Sequence, residues 1–232
     1  MIKKKIKRLA IIPARSGSKR IKNKNTKNFL GKPMIFYSIN SAKKSKLFNK
    51  IHVSTDDLKI KRKIKNLGLN IDFLRPKFLS KDKVGLNSVL NYVIREYEKL
   101  NEFFDEVWLI YACAPLMLKD DLINASKSYQ KTDKKYPLMS VREYDAPIEW
   151  AFEKDGNKFH CINEKKRYSD SKSLKKKFFN CANFEIYQNK DLVKKSKFFK
   201  FYGYVMPRSR SVDIDNNDDW NIAKALYLVK KK

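Results

Sequence analysis

After Pro13 an apolar run breaks into Ala14-Arg15-Ser16-Gly17-Ser18-Lys19-Arg20, with Lys22, Lys24 and Asn25 close behind. The small side chains of Ala14, Ser16, Gly17 and Ser18 let a ligand reach backbone amides, while Arg15, Lys19, Arg20, Lys22 and Lys24 supply cationic donors. That combination suits a polyphosphate. A P-loop needs Gly-x-x-x-x-Gly-Lys before Ser or Thr, and a dinucleotide fingerprint needs three spaced glycines; here Gly17 stands alone before Gly31. Far along the chain, Asp213-Ile214-Asp215 sets two carboxylates two residues apart. In an extended segment both face one side while Val212 and Ile214 pack behind them. Paired carboxylates without a histidine suit Mg2+, which bridges one or two carboxylates to substrate phosphates. Asp218 and Asp219 fit a helix cap instead. A cationic small-residue loop with a carboxylate pair fits a nucleoside triphosphate and nucleotidyl transfer, in which catalysis rests on positioning and charge neutralisation. Cys113, beside Pro115, has no histidine motif near it and reads as a small buried residue rather than a nucleophile.

These groups need a frame that joins the two ends of the chain. Residues 6–13 read as a strand buried on both faces. Pro33 fits the first turn of a helix carrying Met34, Ile35, Tyr37, Ser38 and Ala42 inward. A second strand follows at residues 51–55, then a basic helix capped by Asp56 or Asp57 and stopped at Gly68. A short strand is expected at 70–74, with Pro76 keeping Arg75 out of helical geometry. Val89, Leu90, Val93, Ile94, Tyr97 and Leu100 share one helical face. Residues 106–111 form a central strand, Asp120-Asp121 opens another helix, and 138–141 is a further strand. This alternation predicts an α/β fold of three layers, a mostly parallel sheet with helices on both faces and right-handed crossovers. In such sheets ligands bind beyond the carboxyl ends of the strands. The loop from Arg15 to Asn25, Arg75, the turn after Tyr111 and the Asp213/Asp215 pair all fall there.

From residue 141 the alternation breaks into a hairpin around Asp155-Gly156-Asn157 and a lysine-rich connection. Strands return at 183–187 and 201–206, and a last helix, capped by Asn216 or Asn217, turns Trp220, Ala223, Leu226 and Val229 inward. The expectation is a single domain over 1–232 with an inserted arm at 141–187.

The net charge is +28, from 53 Lys and Arg against 25 Asp and Glu, which raises nucleic acid as a partner. The lysines are dispersed along the chain, and no RNP, helix-turn-helix or finger pattern accompanies them. A nucleic-acid-binding protein on an inactive scaffold is thus the non-enzyme alternative, and steering of anionic substrates the simpler use of the charge. Cys113, Cys161 and Cys181 have no C-x-x-C spacing, against a disulfide framework or zinc site. With no long apolar run and no secretory signal, a soluble cytoplasmic protein is expected.

The stretch 12–20 with Lys24-Asn25, followed by Gly31-Lys32-Pro33-Met34, Val53-Ser54-Thr55-Asp56-Asp57, Phe73-Leu74-Arg75-Pro76 and Asp213-Ile214-Asp215 before Asp219-Trp220, resembles the CMP-sugar synthetases that activate 3-deoxy-2-ulosonic acids. Tyr111-Ala112-Cys113-Ala114-Pro115, Ala146-Pro147-Ile148 and Pro207-Arg208 look most like the branch acting on pseudaminic acid. The resemblance implies a nucleotide-diphospho-sugar transferase-like fold and Mg2+-dependent transfer of CMP from CTP to the anomeric hydroxyl of a nine-carbon acidic sugar, with release of pyrophosphate, for surface glycan or flagellin glycosylation. Sialic, legionaminic or 3-deoxy-manno-octulosonic acid are the alternative acceptors. It further implies that Arg15, Ser18, Lys19 and Lys24 hold the triphosphate, that Asn25 and Arg75 read the cytidine, and that Asp213 and Asp215 bind metal. Tyr111, Asn180 and Asn183 would meet the sugar, and the arm would form a homodimer. Two departures concern the sugar. Sialic acid synthetases place a glutamine where Tyr111 falls, and the pseudaminic branch shows His-Asp-Ala-Gly-Gln-Phe where this chain has Asn180-Cys181-Ala182-Asn183-Phe184-Glu185.

Overall fold

The computed structural model describes residues 5–194 and 197–230. Strand β1 (Arg8–Pro13) has four fully buried central residues, as a strand covered on both faces requires. After the cationic loop come a minimal hairpin, β2 (Asn28–Phe29) and β3 (Lys32–Pro33), and helix α1 (Met34–Ser45). Then follow β4 (Lys50–Ser54), α2 (Leu58–Asn66), α3 (Leu86–Lys99), β5 (Glu106–Ile110), α4 (Lys119–Gln130) and β6 (Leu138–Glu143). A separate hairpin, β7 (Phe152–Asp155) and β8 (Lys158–Cys161), precedes β9 (Phe178–Gln188), α5 (Asn189–Lys194), β10 (Tyr202–Val205) and α6 (Asn217–Val229).

The central sheet runs in the order β10-β6-β9-β5-β1-β4, and only β9 is antiparallel to its neighbours. Alternating side chains build a core on each face. Leu9, Ile11, Val107 and Leu109 pack with Leu90, Val93 and Tyr97 of α3. Ala10, Ile12, Trp108 and Ile110 pack with Ile35 and Ile39 of α1 and with Leu122 and Ala125 of α4. A third cluster, in which Phe29 meets Trp220 edge-on at 5.3 Å, fastens α6 and buried Ile214 to the loop after β1. Among the described residues no helix is long and apolar enough to cross a membrane.

Three expectations need adjustment. Residues 70–74 form no strand: the segment passes the sheet edge, where the Arg75 N–H donates to the Thr55 carbonyl at 2.8 Å just past the end of β4. Val229 is 72% exposed, because α6 lies on the third cluster through Trp220 and Ala223 and its last turn projects into solvent. The boundaries 141 and 187 both fall inside sheet strands, since β9 starts at Phe178 and lies between β5 and β6. The segment standing outside the sheet is the β7–β8 hairpin with the turns that follow it.

Candidate active site

A cleft of about 520 Å³ opens beyond the carboxyl end of β1. Arg15, Ser18, Lys19, Lys24, Asn25, Arg75 and Asp215 all line it. The chain thus brings its amino-terminal cationic loop and one of its two distant carboxylates to a single opening. Because β1 is buried and pinned between β4 and β5, the loop leaves a rigid base. Asn25, nearly buried, ties the loop to itself: its Nδ2 donates to the Arg15 carbonyl at 3.0 Å, and its Oδ1 accepts the Cys113 thiol at 3.3 Å. One amide hydrogen of Asn25 remains for a ligand.

Arg75 forms another wall and is only 5% exposed. Among the described residues its Nε and Nη2 have no hydrogen-bond partner, and its carboxylate neighbour Asp56 stands 3.8 Å from Nη2. Burial, reinforced by the Arg15 charge and opposed by Asp56, lowers its pKa from the ordinary guanidinium value. A buried cation with unused donors is costly unless a ligand satisfies it.

The aspartate segment is held from several sides. Arg210 makes a two-pronged ion pair with buried Asp121 of α4, at 3.1 and 2.7 Å. Asn183 Nδ2 donates to the Arg210 carbonyl at 3.0 Å. Beyond Ile214, the Asp219 carboxylate caps α6 by accepting the N–H groups of Asp215 and Asn216, each at 2.9 Å. Asp215 then receives Arg20 at 2.7 Å, with the Lys24 ammonium 3.6 Å away, and Lys24 also donates to the Ile214 carbonyl. Burial first, and the Asp215 charge second, raise the Asp213 carboxyl above its usual value.

Asn183 does not reach the cleft as the sequence suggests; it is 1% exposed and its amide is spent on the Arg210 backbone, so it braces the aspartate segment. Asn180 is exposed and donates to Glu185 Oε1 at 2.9 Å, as does the Tyr111 hydroxyl. Sequence reasoning passed over three groups here. Arg20 was one loop cation among several until Asp215 gave it a partner. Glu185 gathers the hydroxyl of Tyr111 and the amide of Asn180. Asp82 bridges Arg15 Nη1 at 2.5 Å and Lys19 at 2.6 Å, and these two cations hold its carboxyl below the usual range. Its only signal in the sequence is an acid isolated between Lys81 and Lys83.

Asp82 therefore satisfies two cations in the way a phosphate would. Asp82→Asn is expected to tighten CTP binding several-fold, measured by calorimetry at fixed ionic strength, because a competing anion is removed. Unchanged or weaker affinity would contradict that competition. Burial raises the Cys113 thiol to about 12, opposed in part by Lys24, so it stays protonated at neutral pH. Cys113→Ser is expected to keep kcat within about threefold, since a hydroxyl also donates to Asn25; a loss beyond about tenfold in steady-state turnover would restore the cysteine as a chemical participant.

The arrangement gathers cationic donors and a carboxylate around a space large enough for a nucleotide, with no thiolate among them. Comparison with known proteins agrees. A family model described as cytidylyltransferase matches residues 9–201. A pseudaminic acid cytidylyltransferase of Campylobacter jejuni subsp. jejuni serotype O:2 is 36% identical, over 97% of this chain and 97% of that protein. An N-acylneuraminate cytidylyltransferase of Escherichia coli O18:K1:H7 is 28% identical, over 97% of this chain and 53% of the relative. The solved structure of a CMP:2-keto-3-deoxy-manno-octonic acid synthetase complexed with CTP shares the fold at TM-score 0.73 and 14% identity, covering 97% of this chain and 99% of that one. With a family match over most of its length and a near-full-length relative above one-third identity, this chain belongs to the cytidylyltransferase family.

Proposed function

We propose that this protein transfers CMP from CTP to the anomeric hydroxyl of a nine-carbon acidic sugar, pseudaminic acid foremost, and releases pyrophosphate. The observation carrying the reading is the shared cleft of Arg15, Lys19, Lys24, Arg75 and Asp215, supported by near-full-length similarity to a protein named for that reaction. The attacking oxygen forms a bond to the α-phosphorus as the bond to the pyrophosphate oxygen breaks, so charge grows on the leaving group. Arg15, Lys19 and Lys24 neutralise it in place. Arg75 and the free Asn25 N–H hold the base and ribose against the wall of the cleft, and the nucleotide's acceptors supply the missing partners of the buried Arg75 guanidinium.

The residues present suit Mg2+: Asp213 and Asp215 are hard oxygen donors, and a cation would offset the Asp215 charge that, after burial, raises the Asp213 carboxyl. Among the described residues no group of three or more His, Cys, Asp and Glu is placed to hold a metal. That suits an ion which takes one or two carboxylates and completes its shell with substrate phosphates and water. When bound, the ion supplies neutralisation of phosphate charge. The protein acts in the cytoplasm, where CTP is made, and works as a homodimer through the β7–β8 arm. Support for the dimer comes from Phe159, 63% exposed, and Tyr168, 93% exposed, on and beside that hairpin.

Pyrophosphate release with CTP, Mg2+ and a panel of pseudaminic, legionaminic, N-acetylneuraminic and 3-deoxy-manno-octulosonic acids tests the proposal. Turnover is expected, with the highest kcat/KM for pseudaminic acid. No turnover with any of the four would contradict it.

A further inference from the structure

The segment leading into Arg75 belongs to no strand, yet it is anchored at Asp72, at Leu74 and at Arg75 itself. The Tyr97 hydroxyl of α3 donates to Asp72 Oδ2 at 2.7 Å, and the Lys50 ammonium of β4 reaches the same oxygen at 3.2 Å. The Tyr92 hydroxyl, also on α3, donates to the Leu74 carbonyl at 3.2 Å. The Arg75 N–H closes the set on the Thr55 carbonyl at 2.8 Å. Between these anchors the Phe73 ring stacks on buried His52 at 4.5 Å and meets Tyr97 edge-on at 5.1 Å. Burial pushes the Asp72 carboxyl up, but the Tyr97 and Lys50 bonds outweigh it and leave that group below the usual carboxylate range.

Proton accounting gives this network one direction. Tyr97 has a single hydroxyl proton and spends it on the ionised Asp72, so neutral His52 donates from Nδ1 to Tyr97 Oη at 3.0 Å. Burial first lowers the His52 imidazole to about 4, opposed by Asp72, which keeps it neutral at pH 7. Helix α3 also walls the cleft, through Leu86 and Val89 of its first turn. One element therefore carries both a wall of the cleft and the two hydroxyls that hold the chain entering it. That hold matters for Arg75. With Nε and Nη2 unpartnered among the described residues and Asp56 3.8 Å away, its guanidinium is aimed largely by the backbone that carries it.

We propose that Tyr92 and Tyr97 are positioning residues for nucleotide selection: with Asp72 as their counterpart, they clamp residues 72–75 so that the Arg75 guanidinium meets the base in one fixed place. Neither tyrosine lines the cleft. The inference rests on the transferase reading above and extends it to residues that never touch the nucleotide. A guanidinium has donors only, which suit the adjacent O2 and N3 acceptors of cytosine, whereas uracil carries a proton at N3. A fixed guanidinium thus favours CTP over UTP, and one free to shift can settle on O2, which both bases share.

The test measures pyrophosphate release with CTP and with UTP, using the best acceptor of the panel above, and takes the ratio of the two kcat/KM values. Arg75→Ala sets the full loss of preference. The double variant Tyr92→Phe/Tyr97→Phe keeps both rings and removes both hydroxyls. It should lower the ratio about tenfold through a higher KM for CTP, with kcat and KM for the sugar little changed. Asp72→Asn, whose amide oxygen still accepts the Tyr97 proton, should keep most of the preference that Asp72→Ala loses. If the double variant folds poorly, Asp72→Ala, at a partly exposed position, carries the test. Val107→Ala loosens the same core without touching an anchor, so it should lower the melting temperature and leave the ratio alone. A ratio unchanged in Arg75→Ala, unchanged in both the double variant and Asp72→Ala, or falling equally in Val107→Ala, would overturn the inference while leaving the transferase reading intact. Wild type inert toward CTP with every acid of the panel would overturn both.

Discussion

Asp215→Ala is expected to lower kcat by about 10³-fold or more while the protein remains folded. The loss has two sources. Asp215 is the carboxylate that lines the cleft, so its removal takes away the nearer of the two oxygen donors proposed for the metal. It also frees Arg20 and Lys24, whose ammonium and guanidinium are placed against it. The fold has little reason to suffer. The backbone at this position is held by the Asp219 carboxylate, and Ile214 beside it is fully buried. With the neighbouring charge gone, the Asp213 carboxyl should fall back toward its ordinary pKa, since Asp215 is the second cause of its elevation after burial. Steady-state turnover across an Mg2+ titration, with thermal melts alongside, checks the outcome. Turnover above about a tenth of wild type would contradict the assigned role.

Arg15→Ala is expected to cost about 10²–10³ in kcat/KM for CTP, and Arg15→Lys to restore only part of it. Arg15 Nη1 donates to both the Asp82 carboxylate at 2.5 Å and the Ser80 carbonyl at 3.3 Å. A lysine keeps the charge but cannot span two acceptors in a fixed plane. Stability should move little or rise, because Arg15 adds to the cationic field that already lowers the pKa of buried Arg75. Equal KM values for CTP in wild type and Arg15→Ala would place the triphosphate elsewhere. The two variants also separate the two halves of the cleft, since Asp215→Ala should change kcat far more than CTP affinity.

The parts of this site readable from sequence are those whose chemistry is local. A strand buried on both faces, a run of small residues and a dense set of cations all sit within residues 8–25, and their spacing alone singles out the loop that lines the cleft. The extended-backbone rule that residues two apart share a side singled out Asp213 and Asp215 together, but only Asp215 lines the cleft. Alternating strands and helices gave the layered sheet. Contacts made only by folding were out of reach. Asp82 meets Arg15 across 67 residues of chain and Tyr111 meets Glu185 across 74, so no window of sequence shows either pair. Asn183 misled because strand-edge asparagines look alike whether the amide faces a ligand or, as here, a backbone carbonyl. The strand expected at 70–74 failed because β4 is the sheet edge and only Arg75 bonds to its extension. Val229 continued an apolar period past the point where α6 leaves the core.

The central claim is that one cleft, built from both ends of the chain, holds CTP. A crystal structure of the protein with a non-hydrolysable CTP analogue tests it most directly. The account predicts the phosphates among Arg15, Lys19 and Lys24 with the Asp82 carboxylate displaced, the α-phosphate toward Asp215, and the base against Arg75. A nucleotide bound elsewhere, with the Arg15–Asp82 ion pair intact and solvent alone in the cleft, would contradict it.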